Sequence, residues 1–69
     1  MTSPLASLIF SEIAERAALA ARYAEAAAAL AAAGDGPATA HSIASAGRAI
    51  HSAFEAMTML RPKSGEVSR

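Results

Sequence analysis

Between Pro4 and Pro62 the chain gathers its helix breakers in one cluster, Gly34-Asp35-Gly36-Pro37. No other feature constrains the fold as much. Gly34 stands where a left-handed C-cap residue belongs. Asp35 or Gly36 can cap a following helix, and Pro37 falls in its first turn. So short a connection makes the flanking helices antiparallel neighbours. Gly47, alone in the second segment, costs about 1 kcal/mol relative to Ala and does not stop a helix. The expected fold is all-α, an antiparallel helical hairpin.

Residue types set the expected limits. Residues 1–3 form an N-terminal cap: Ser3 is the N-cap and Pro4 takes the first helical position, where its missing N–H costs nothing. Helix 1 is expected over 4–33, about 45 Å at 1.5 Å per residue. The turn covers 34–37. Helix 2 covers 38–61, about 36 Å, and Pro62 ends it. Residues 62–69 lack periodicity and read as a flexible tail. The whole is one domain.

A chain of 69 residues buries only about 60% of its unfolded surface, so a lone core is marginal. There is no Cys, which excludes disulfides and thiolate metal sites. The hydrophobic fraction of 54% is mostly Ala, which contributes helix propensity more than burial. Oligomerisation or partner binding is the remaining route to stability. The expected architecture is therefore a hairpin pairing into a four-helix bundle.

The pattern of large side chains supports this. Leu5, Ile9, Glu12, Arg16, Leu19, Tyr23, Ala26 and Leu30 form an unbroken a/d frame on helix 1, the spacing that keeps one seam facing a partner helix. Glu12 and Arg16 interrupt it and stand one turn apart, so they can pair. Placed in an interface, they would set register or partner choice; placed outside it, they form an ordinary surface pair. Helix 2 carries a single stripe: Ile43, Gly47, Ile50, Phe54, Met57 and Arg61. Beside the first frame, helix 1 has a row of Ile13, Ala17, Ala20, Ala24, Ala27 and Ala31, and Phe10 points away from both. One helix-2 stripe cannot cover all of this, so the surface near Phe10 and Ile13 is expected to meet a neighbour.

Net charge is zero. Neither nucleic acid nor an anionic membrane surface is a favoured partner. The N-terminus lacks the basic region of a signal peptide, and no apolar run approaches the roughly 20 residues of a membrane span. A soluble, cytoplasmic protein is expected.

No chemical constellation emerges, and the chain is expected to be neither an enzyme nor a cofactor or metal binder. His41 and His51 lie about 15 Å apart along one helix, too far to share a metal. Asp35 is the only Asp, and capping explains it, so no Ser/His/Asp arrangement exists. Gly34-Asp35-Gly36 has neither a preceding strand nor a P-loop lysine. Ala40-His41-Ser42-Ile43 is similar to the start of the phosphoacceptor motif of histidine phosphotransfer domains. That resemblance spans about four residues and implies phosphotransfer at His41. Ala44 and Ser45 replace the Lys and Gly of the motif.

The functional expectation is a small helical protein–protein interaction module: a homodimeric or hetero-assembled adaptor, chaperone-like subunit or regulator. Its partner is itself, another helical protein, or both. The expected interface residues are Leu5, Ile9, Phe10, Glu12, Ile13, Arg16, Leu19, Tyr23, Ile50, Phe54 and Met57. The alternatives are a dimeric DNA-binding regulator with Arg48, Arg61 and Lys63 on one face, and an oligomerisation hairpin of the phage-packaging kind. The latter, like small secretion chaperones, shares only the architecture.

Overall fold

The computed structural model describes residues 3–60. Among them it contains two helices packed together, α1 (Pro4–Ala32) and α2 (Gly36–Thr58), of 29 and 23 residues. The Ser3 hydroxyl accepts the Ala6 N–H at 3.0 Å, and Pro4 follows it into the first turn. That satisfies one of the donors a helix N-terminus leaves open.

The turn between the helices is a Schellman motif. Gly34 has φ +79°. Its N–H donates to the Ala31 carbonyl, and the Asp35 N–H donates to the Leu30 carbonyl, both at 3.0 Å. This pair of bonds closes α1 and needs a left-handed residue at Gly34. Asp35 then starts α2. Its carboxylate accepts the Ala38 N–H at 3.1 Å, and its backbone carbonyl accepts the Thr39 N–H and hydroxyl. One residue thus ends one helix and caps the next.

Three helix limits differ from expectation. α1 stops at Ala32, with Ala33 as its C-cap. Gly36 and Pro37 lie inside α2 rather than in the turn, because the Asp35 cap places the first helical residue at Gly36. At the far end α2 stops at Thr58, before Leu60 and Arg61. There the Met59 and Leu60 N–H groups reach back only three residues, to Ala56 and Met57. The Thr58 hydroxyl also donates to the Glu55 carbonyl at 2.6 Å. Such tightening closes a helix. Arg61, Pro62 and the expected tail lie outside the described residues, as do Met1 and Thr2.

The seam between the helices is made mostly of small side chains and follows the expected a/d frame only in part, through Ile9, Arg16 and Leu30. On α1 the buried residues are Ile9, Ala20 and Ala27, with Ala6, Ile13, Arg16 and Leu30 half-buried along the same line. On α2 they are Ser42, Ser45, Ala49, Ala53 and Ala56. The expected stripe of Ile43, Ile50, Phe54 and Met57 is one residue out of register with this line, a rotation of about 100°. The physical reason is steric. Helix separation is set by the side chains at the contact, and Ala and Ser let the two backbones approach closely.

Candidate interaction surface

Once the seam is known, helix geometry assigns every other residue to a side. A residue one position after a seam residue lies about 100° round the helix, and one before it lies about 100° the other way. Both helices are right-handed and run antiparallel. The residues that follow the seam therefore fall on one face of the hairpin for both helices, and those that precede it fall on the other.

The following face carries Phe10, Ala14, Ala17, Ala21 and Ala28 from α1, with Ala24 beside them. From α2 it carries Ile43, Ala46, Ile50, Phe54 and Met57. None of these is charged. Ile43, Ile50 and Phe54 are each 56% exposed, far beyond what an aliphatic or aromatic core side chain tolerates. The alanines of α1 are exposed beside them. This face is therefore a ridge of large side chains on α2 flanking a shelf of methyl groups on α1 that ends at Phe10.

The preceding face is mixed. It carries Leu8, Glu12, Glu15 and Leu19 from α1, and His41, Arg48, Ser52 and Glu55 from α2. Here a shallow depression of about 260 Å³ lies between the helices, lined by Arg16, Leu19, Tyr23, Ser45, Arg48 and Ser52. That Leu19 and Arg48 share it is independent support for the assignment of faces.

Arg16 links the two helices. Its Nε donates to Glu12 at 2.9 Å, and its Nη1 donates to the Ser52 carbonyl of α2 at 2.9 Å. The Glu12–Arg16 pair is half-exposed at the surface, and an i,i+4 pair in contact with solvent contributes only about 0.3–0.5 kcal/mol. The bond to Ser52 matters more for geometry, because it fixes the level of α1 against α2. Arg48 donates to the Ser45 hydroxyl at 3.1 Å within α2. His51 and Glu55 make a second, exposed pair at 3.3 Å.

The expected interface residues thus separate into three groups. Ile9, with Ile13 and Arg16 half-buried, belongs to the seam of the hairpin itself. Leu5, Glu12, Leu19 and Tyr23 are exposed on the mixed side, whereas Phe10, Ile50, Phe54 and Met57 are exposed on the uncharged side. The expected small-residue row divides: Ile13, Ala20 and Ala27 go to the seam, while Ala17 and Ala24 stand exposed on the shelf. Ala21 and Ala28 complete the shelf and are missing from that row, because a methyl group beside Leu and Ile carries little weight in a hydrophobic pattern.

No family model, curated protein or solved structure matches this chain.

Among the described residues no helix is long and apolar enough to cross a membrane. His41 is exposed in the second turn of α2, beside no acidic side chain that the structure bonds to it.

Proposed function

We propose that the chain is a helical protein–protein interaction module, homodimeric or hetero-assembled, acting as an adaptor, chaperone-like subunit or regulator. It works by helix–helix packing of its uncharged face, and a four-helix bundle is the assembly this reading favours. One observation carries it: apart from Ile9, the buried seam residues are alanine and serine, while Phe10, Ile43, Ile50, Phe54 and Met57 all stand exposed. An alanine methyl in the seam contributes about 0.8 kcal/mol, whereas covering a Leu, Ile or Phe contributes about 1.5–3 kcal/mol. Most of the stabilising surface of the molecule is thus held outside its own fold, and a contiguous apolar surface of this kind marks an interface.

Sedimentation equilibrium across the micromolar range tests the self-associating form. The expected result is a mass well above the 6.9 kDa monomer. A stable, folded monomer at every concentration would overturn self-association.

A further inference from the structure

We infer that the uncharged face is covered by a second copy of this chain, related by a two-fold axis parallel to the helices, so that α2 of each copy lies on α1 of the other. This rests on the interaction-module reading and names its partner and docking geometry.

Shape favours this arrangement. The short turn places residues equidistant from Gly34 at one level, since α1 ends at Ala32 and α2 starts at Gly36. The hydrogen bond from Arg16 to the Ser52 carbonyl joins two such residues. Ile43 stands level with a gap between Ala24 and Ala28. Ile50 stands level with the gap between Ala17 and Ala21. Phe54 is level with Ala14, and Met57 lies between Phe10 and Ala14. A two-fold axis along the helices preserves level and carries α1 of one copy beneath α2 of the other. Ile43, Ile50 and Phe54 then meet alanines of the partner, and Met57 packs beside the partner's Phe10. A two-fold axis across the helices would stack shelf on shelf and ridge on ridge. That arrangement leaves voids along the alanines, and interiors pack without such voids.

Area agrees. Two helices side by side, each about 10 Å wide and about 35 Å long, present a face of roughly 700 Å² in projection. A stable complex covers about 800 Å² of accessible surface on each partner, which a face ridged with large side chains supplies when all of it is covered. Charge agrees as well. Among the described residues ridge and shelf hold no charged group, so covering them strands no ion. The resulting bundle has antiparallel neighbours on every side, the up-down topology of simple four-helix bundles.

Introduced cysteines test the geometry cleanly, because the chain has none of its own. Ile43→Cys and Ala24→Cys proteins are mixed, exchanged and mildly oxidised, and cross-linked peptides are identified by mass spectrometry. A disulfide between positions 43 and 24 is expected. A parallel mixture of Ile43→Cys with Met57→Cys should give none; a 43–57 link would overturn the axis while leaving a dimer. A dimer by mass that forms neither link would overturn the choice of face. A monomer would overturn both this inference and the self-associating reading. In the full chain, Ile50→Glu is expected to raise the dimer dissociation constant at least tenfold. Leu8→Glu, on the mixed face, should leave it within threefold. Helicity by circular dichroism accompanies each variant. The reverse order of effects would overturn the assignment.

Discussion

Gly34 holds a φ of +79° that an L-residue adopts at a cost of roughly 1–2 kcal/mol. A Cβ built there meets nothing within 4 Å, so backbone conformation alone sets the penalty. Gly34→Ala is therefore expected to destabilise the protein by about 1–2 kcal/mol at fixed protein concentration, read from urea denaturation. Asp35→Ala removes the carboxylate that caps α2 and should cost about 1 kcal/mol. Unchanged midpoints for both would show that the Schellman turn is not what closes α1. These positions were legible in the sequence because their roles are local. Gly34, Asp35 and Ser3 act on backbone groups within a few residues, and residue type alone specifies them. Arg16 was not legible in the same way. Its pairing with Glu12 follows from spacing, but its reach to the Ser52 carbonyl depends on which face of α1 meets α2.

That facing decision is made at the level of the whole element. Judged by size, the Leu5-to-Leu30 frame and the Ile43-to-Met57 stripe look like the seam. The structure keeps Ile9 of that frame but otherwise buries Ala20 and Ala27 on α1 against Ser42, Ala49 and Ala56 on α2. Hydrophobic periodicity finds apolar stripes but does not say which stripe is satisfied inside the chain and which is left for a partner. On an alanine-rich helix the ambiguity is greatest, since a methyl row reads as filler. The hairpin was thus legible and its seam was not. Gly47 tests α2 as an element. It lies in the helix interior with no positive φ, and a Cβ there points into open space. Gly47→Ala should raise stability by about 0.5–1 kcal/mol through helix propensity and loss of unfolded-chain freedom. A loss on thermal melting would mean that the glycine makes room for a close neighbour.

At the scale of the molecule, the placement of charge separates the competing ways in which it could associate. Glu12, Glu15, Arg48 and Glu55 all lie on the mixed side, while the ridge and shelf of the opposite face have no ion to screen among the described residues. Association through that face should therefore be insensitive to salt, whereas nucleic-acid binding through arginines loses affinity steeply as salt rises. If folding is completed by a second copy, stability must also follow concentration by mass action. Thermal melts over a hundredfold range of protein concentration should then show a midpoint that climbs steadily, with the same climb at low and moderate salt. Phe54→Glu, which puts a charge on the ridge, should flatten the climb and lower the midpoint at every concentration, because the face could close only by burying an unpaired carboxylate. A concentration-independent midpoint in the parent chain would mean that the alanine and serine seam suffices to hold the hairpin. The exposed ridge would then have to be explained by a partner of different sequence.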